Sequence, residues 1–227
     1  MIGDPVMLTI RRNIERPSKA LLKSFDSMPT GFVTDAYNGK GCLDFEIKPL
    51  MPAMTFHGPA ITAFCGPMDN LAAMAILDFA KQGDVIVIAT SGDDTAATVG
   101  DLWAFWAKKI GVAAIVCDGL VRDVTGLLKV GIPVFARGIK PNSAFKHGPG
   151  EVNIGVSCGG VAIGPGDIIV GDRDGVVAVP LAEAEQVAAQ IELVKKKEAD
   201  AEARVKSGEK LKFWDPAALG DRVRYID

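Results

Sequence analysis

The chain has 227 residues, 48% of them apolar, and a formal net charge of -3; that is enough to bury one full core, and a single elaborated domain is expected. Phosphate recognition needs clustered Lys and Arg, so this charge balance gives no nucleic-acid surface. The longest basic run, Lys195-Lys196-Lys197, lies among Glu192, Glu198 and Asp200 and reads as a solvated helix face.

In chain order, Lys19 to Met28 reads as a short helix, with Pro29-Thr30-Gly31 separating it from a second near Thr34-Asp35-Ala36. Thr55 to Phe64 reads as extended, with Gly58-Pro59 interrupting it. Leu71 to Lys81 has helical periodicity, Gly83-Asp84 turns, and Val85 to Ala89 is a fully apolar run short enough for a buried strand. Gly100 then marks a turn into a helix from Leu102 to Ile110. Ala113 to Cys117 is a second buried strand, Val121 to Val130 a helix, and Pro133 to Ala136 a third strand. This βαβαβ rhythm implies parallel strands with crossover helices.

After Asn142 the texture changes to short β segments split by glycines: Val152 to Val156, Gly160 to Ile163, Ile168 to Val170 and Gly175 to Val179, with Asp174-Gly175 as a hairpin turn. A long helix is expected from Leu181 to Lys206, with Leu181, Ala184, Ala188, Ile191 and Val194 on one stripe. Its second half is mostly charged, which suggests that it leans on a neighbouring subunit. Leu211 to Asp227 carries Phe213, Trp214 and Tyr225, too aromatic for a free tail. No internal repeat appears, and the expected layout is one α/β domain over 1–180 plus a C-terminal helix and arm over 181–227.

The N-terminus lacks the apolar core of a signal peptide and no apolar stretch approaches ~20 residues, so a soluble, cytoplasmic protein with no membrane partner is expected. Cys42, Cys65, Cys117 and Cys158 are dispersed, and buried thiols are the default reading. Gly155-Val156-Ser157-Cys158-Gly159 matches the G-x-S-x-G elbow, but both histidines, His57 and His147, precede the Ser and a strand, not a helix, follows it. Neither nucleotide-binding glycine motif occurs. Two such distant histidines do not assemble a zinc site, so a metal here would be hard and oxygen-ligated, Mg²⁺ or Mn²⁺. Trp103 and Trp106 read as core or interface residues. No Lys is singled out as a desolvated Schiff-base nucleophile, and dehydration chemistry stays open.

The most complete set of chemical groups is Asp101 with Arg122-Asp123, each where a strand or loop meets the start of a helix, which is where α/β chains place chemistry. Two carboxylates, for a metal ion and for proton handling, and a guanidinium for a planar anion suit enolate chemistry. The stretches Asp94 to Trp103 and Asp118 to Asp123 resemble the RraA-like family, which includes class II pyruvate aldolases such as 4-hydroxy-4-methyl-2-oxoglutarate aldolase. Its D-x20-R-D pattern is filled by Asp101, Arg122 and Asp123, and Thr34-Asp35-Ala36, Gly83-Asp84, Gly159-Gly160-Val161, Pro165-Gly166-Asp167 and Asp172 to Val176 follow in the family's order.

The resemblance implies a swivelling β/β/α sandwich assembled as trimers or hexamers with active sites between subunits. It implies cleavage of a small 2-oxo acid to pyruvate through a metal-stabilised enolate, with oxaloacetate decarboxylation as a related activity. By the same resemblance Asp123 holds Mg²⁺ or Mn²⁺, Arg122 bonds the enolate oxygen, the backbone N–H groups of Gly100, Asp101, Leu102 and Trp103 hold the substrate carboxylate, and Asp101 orients a water at the C4 hydroxyl. A further carboxylate from a neighbouring subunit's C-terminal helix is placed at Glu198, with Glu192 and Glu202 as alternatives. Members that regulate ribonuclease E without catalysis can lack the acidic residue after the Arg; Asp123 is present here, which favours the lyase over the regulator.

Overall fold

The computed structural model describes residues 5–226, so the first four residues and Asp227, the last of the expected arm, lie outside it. The strands are β1 (Leu8–Ile10), β2 (Lys48–Pro49), β3 (Phe56–Cys65), β4 (Val85–Ala89), β5 (Ala97–Val99), β6 (Ala114–Val121), β7 (Val134–Ile139), β8 (Gly150–Val152), β9 (Val156–Cys158), β10 (Val161–Ile163), β11 (Ile168–Gly171) and β12 (Val176–Val179). The helices are α1 (Lys19–Lys23), α2 (Thr30–Ala36), α3 (Leu71–Ala75), α4 (Asp101–Ile110), α5 (Val124–Val130), α6 (Ala184–Lys206) and α7 (Pro216–Leu219).

The main sheet runs β1-β8-β3-β4-β6-β7-β2, with β5 added beside β6 and the β11–β12 hairpin beside β3. Its centre, β3-β4-β6-β7, is parallel, as the βαβ rhythm requires. On one face α3, α4 and α5 cover a core built on Ile61, Ile86, Ile88, Ile115 and Leu127. The opposite face packs under β9, β10 and β12 around Ile47, Phe135 and Ile169. A third core lies between the β11–β12 hairpin and helices α2 and α6. Helix layer, sheet and second β layer make a β/β/α sandwich.

Several boundaries differ from the sequence reading, each for a local reason. Gly58-Pro59 does not interrupt β3; it is where the strand exchanges its parallel partner β4 for its antiparallel partner β11. The expected helix from Leu71 to Lys81 is α3 plus a 3₁₀ turn at Ile76–Asp78, because the buried Asp84 carboxylate accepts the Lys81 N–H at 2.8 Å and turns the chain into β4. The helix placed from Val121 starts only at Val124, since β6 stays extended and buried through Val121. The segment Val152 to Val156 is two strands, split where Asn153 adopts φ 57° and donates from Nδ2 to the Arg11 carbonyl at 3.1 Å. The helix expected over Lys19 to Met28 is only α1, capped by Ser18 Oγ at 3.1 Å.

The Asp172 to Gly175 turn joins β11 to β12 as a hairpin. In α6, which follows a 3₁₀ turn at Leu181–Glu183, Ala184, Val187, Ala188 and Ile191 are buried, while most of the helix beyond Glu192 is exposed. Phe213, Trp214 and Tyr225 are exposed on this chain, so the aromatic arm finds no dock within it. No described helix is long and apolar enough to cross a membrane.

Candidate active site

Strands β5 and β6 run parallel and side by side, Ala97 opposite Leu120 and Val99 opposite Val121. Their carboxyl ends therefore deliver Gly100-Asp101 and Arg122-Asp123 to the same place, and the Arg122 N–H donates to the Val99 carbonyl at 3.0 Å. Each pair leads directly into a helix. Carboxyl ends of parallel strands are the usual ligand crevice of open α/β sheets, and a cleft of about 370 Å³ opens there, lined by all four of these residues together with Leu102 and Trp103.

The N-cap of α4 is Gly100, extended at φ -133° and ψ -170°, and no side chain caps the helix. The first N–H groups of a helix have no intrahelical acceptor, and with the macrodipole they favour an anion. Leu102 is 80% exposed, whereas Trp103 is buried with its indole N–H donating to the Ala73 carbonyl at 2.8 Å. Trp103 thus anchors α4 and Trp106, 59% exposed, does not.

Asp123 occupies the N-cap position of α5 in a left-handed conformation, φ 59° and ψ 42°, and its side chain does not cap the helix. A non-glycine residue held there carries backbone strain of about 1–3 kcal/mol. The carboxylate instead turns across Gly100: a Cβ at Gly100 would stand 2.4 Å from Asp123 Oδ2. Arg122 Nε is 3.3 Å from Asp123 Oδ2, and Arg122 Nη1 donates to Ser143 Oγ at 2.8 Å. Both side chains remain about two-fifths exposed, facing an open cleft and not a sealed interior. Asp101 lines the same cleft with its side chain packed against Gly126 of α5.

Among the described residues no three His, Cys, Asp or Glu side chains come together as a metal cage. A lone exposed carboxylate, with water filling the remaining positions, is an arrangement that Mg²⁺ accepts, so Asp123 fits such an ion. Glu198 lies on the exposed half of α6, beside a different groove with Arg204 and Phe213, and this chain does not bring it to the cleft. His57 lies in β3; the ring of His147 stacks on Phe145 at 5.5 Å, and neither histidine lines the cleft.

Lining residues that escaped the sequence reading include Asn70, Met74, Ser143 and Lys146. Asn70 is buried, donates from Nδ2 to the Thr98 carbonyl at 2.8 Å, and its Oδ1 has no partner among the described residues. It precedes α3 without capping it, and that spare side chain was the one local signal.

Fold and site together define a mixed α/β protein whose cleft pairs a carboxylate–guanidinium dipeptide with an uncapped helix start. The chain belongs to the RraA-like family: the family model described as Aldolase/RraA matches residues 30–178. A protein of Halalkalibacterium halodurans named provisionally as a 4-hydroxy-4-methyl-2-oxoglutarate aldolase is 42% identical over 183 residues, covering 81% of this chain and 86% of its own. Among solved structures, an uncharacterized protein of Pseudomonas syringae pv. tomato superposes with TM-score 0.78 at 26% identity, over 86% of this chain and 92% of its own. Streptomyces coelicolor RraAS2, described as an unusual member of the RNase ES inhibitor RraA family, superposes with TM-score 0.76 at 26% identity, over 83% and 100%.

Proposed function

We propose that the chain is a divalent-metal-dependent carbon–carbon lyase of the class II pyruvate aldolase kind, releasing pyruvate from a 4-hydroxy-2-oxo acid such as 4-hydroxy-4-methyl-2-oxoglutarate, with oxaloacetate decarboxylation as a related activity. The observation that carries this reading is the Asp123 carboxylate, held off its own helix by a left-handed backbone and facing the cleft beside Arg122 and the uncapped start of α4. The aldolase name of the Halalkalibacterium relative supports it.

Bound at Asp123, Mg²⁺ or Mn²⁺ would supply positive charge to the 2-oxo and carboxylate oxygens of the substrate. The N–H groups at the start of α4 hold the C1 carboxylate. Arg122 donates to the C2 oxygen, where negative charge gathers as the C3–C4 bond breaks and its electron pair becomes the C2–C3 double bond of the enolate. Asp101 orients the water that takes the C4 hydroxyl proton, so that C4 departs as a carbonyl. Protonation at C3 then gives pyruvate; from oxaloacetate the same cleavage gives CO₂.

The reading includes a homo-oligomer, trimer or hexamer, in which Glu198 from a second copy completes the cleft. Its support is apolar surface left open beside the site, Leu102 and Trp106 on α4, together with the exposed half of α6.

Pyruvate release from 4-hydroxy-4-methyl-2-oxoglutarate and from oxaloacetate, with EDTA and after Mg²⁺ is restored, is the test. Arg122→Ala is expected to lower turnover about a hundredfold or more, and Asp123→Asn to abolish the Mg²⁺ response. Likeness to RraAS2 favours a second reading, a protein-binding regulator of ribonuclease E activity without turnover. No pyruvate from either substrate, with inhibition of ribonuclease E that survives both substitutions, would establish it instead.

A further inference from the structure

Arg122 and Asp123 are chain neighbours of opposite charge, yet they do not close into a forked pair. Where an Arg–Asp pair of this chain does close, Arg16 on Asp84, two N–H groups meet two oxygens at 2.8 Å. At the cleft, Arg122 Nε stands 3.3 Å from Asp123 Oδ2, longer than the roughly 2.7–2.9 Å of a charge-assisted bond. The hydrogen bond that the Arg122 side chain does make among the described residues runs from Nη1 to Ser143 Oγ at 2.8 Å. Both charged side chains lie across Gly100, where an added Cβ would stand 2.4 Å from Asp123 Oδ2 and 3.3 Å from Arg122 Nε. Rotation of the guanidinium on its stem, with no backbone movement, therefore separates this open arrangement from a fork.

Ser143 is placed independently of Arg122. Its segment leaves β7 and crosses the carboxyl ends of β5 and β6: Lys140 N–H donates to the Val121 carbonyl at 3.0 Å, Ala97 N–H to the Asn142 carbonyl at 3.1 Å, and Asn142 Nδ2 to the Thr95 carbonyl at 2.7 Å. Ser143 itself bridges to Ala97 of β5. Beyond it, Phe145 N–H donates to the Met68 carbonyl at 2.7 Å, and the N–H groups of His147 and Gly148 donate to the buried Asp69 Oδ2 at 2.6 and 3.0 Å. Bonds on both sides thus fix the hydroxyl that holds the guanidinium, and none of them involves the Ser143 side chain.

We infer that Ser143 is a positioning residue for Arg122, holding the guanidinium out of a forked pair with Asp123 and so keeping that carboxylate open to a divalent ion. The inference rests on the metal-dependent reading of the same cleft. A two-pronged guanidinium occupies both oxygens of a carboxylate and neutralises its charge, so a cation would have to displace Arg122 before it bound. Held by Ser143, Arg122 keeps its charge in the cleft and its remaining N–H groups for a substrate oxygen. Ser143 makes and breaks no bond in the reaction and acts only through Arg122.

The test measures Mn²⁺ binding to the substrate-free, full-length protein from the electron paramagnetic resonance signal of the free ion, with pyruvate release by the wild type followed alongside. Ser143→Ala is expected to weaken Mn²⁺ binding about tenfold, the scale of one hydrogen bond to a charged group, and Ser143→Thr, which keeps the hydroxyl, to bind Mn²⁺ as the wild type does. In an Arg122→Met background, where no guanidinium competes for Asp123, adding Ser143→Ala is expected to change the affinity no further. Unchanged affinity in Ser143→Ala, an equal loss in Ser143→Thr, or the same loss in the Arg122→Met background would overturn the inference while leaving pyruvate release standing. A wild type that binds no Mn²⁺ would remove the metal-dependent reading and the inference with it.

Discussion

The Asp101 side chain lies on the α-carbon of Gly126, so close that a Cβ there would stand 1.9 Å from Asp101 Oδ2 and 2.6 Å from its Cβ and Cγ. The carboxylate of one helix start is thus positioned by the absence of a side chain on the next helix. Because the backbone fixes Asp101 Cβ, itself only 2.6 Å from the added methyl, no rotation of the side chain relieves the clash, and the start of α4 must move away from α5. On the proposed lyase reading, Gly126→Ala is expected to lower pyruvate release about a hundredfold, the effect of misplacing by about an ångström the group assigned there to orient a water. The melting temperature should also fall, since the overpacking cost of about 1–3 kcal/mol exceeds the gain of up to about 1 kcal/mol from Ala in place of Gly inside α5. Steady-state kinetics on Gly126→Ala, Asp101→Ala and the double variant test the coupling: if the two losses simply add, the contact has no role in catalysis.

How far this site could be read from the residues depends on sequence distance. Val85–Ala89 was legible as a strand because all five residues are apolar, and α4 because Gly100 marks the turn ahead of it. Asp101, Arg122 and Asp123 were legible as a set, since each sits at a helix start. Their mutual geometry was not, because it depends on β5, a three-residue strand recognisable only through its pairing with β6. Asn70 and Lys146 come from segments joined by the Asp69 and Phe145 bonds, across more than seventy residues of chain. No local pattern announces that closure.

The four cysteines fall into two classes, which corrects the expectation that all are buried. Cys42 is exposed, while Cys65, Cys117 and Cys158 are buried. Desolvation pushes the Cys65 and Cys117 thiols up to about 12 and raises Cys158 well above its ordinary value. The thiolate is the reactive form, so at pH 8 Ellman's reagent should label one thiol per native chain rapidly and all four after denaturation. Cys42→Ser should remove the rapid phase; a second rapid thiol in the wild type would contradict this packing.

Arg16 ties the N-terminal segment to the start of β4 through a two-pronged bond to Asp84, Nε to Oδ1 and Nη2 to Oδ2, both at 2.8 Å. Asp84 is only 1% exposed, so Arg16→Ala leaves a buried carboxylate with the Lys81 N–H alone. Urea denaturation should report a loss of about 3 kcal/mol. Lysine cannot reproduce the planar fork, so Arg16→Lys should recover only part of it. A loss no larger than that of an ordinary surface ion pair, under about 1 kcal/mol, would mean that water reaches Asp84 freely.

Tyr37, at the end of α2, donates its hydroxyl to Glu183 Oε1 at 2.8 Å, where the chain enters α6. Burial first, then the bond to Glu183 and the charges of Glu183 and Asp167, push the phenol up to about 12, against about 10 for a free tyrosine. The raised group is the neutral acid, so its contribution to stability is fully present below pH 10 and is lost as pH climbs from about 10 to about 12. Over that interval the unfolded chain releases a proton that the folded chain keeps. Absorbance at 295 nm should therefore show a phenolate step near pH 12 that is missing from Tyr37→Phe. The variant should also lose less stability than the wild type between pH 10 and 12, because it has no phenol to ionise on unfolding. If the wild type completes its tyrosine titration by about pH 10.5 while still folded by circular dichroism, the α2–α6 contact is open to water and the Glu183 bond does not form in solution.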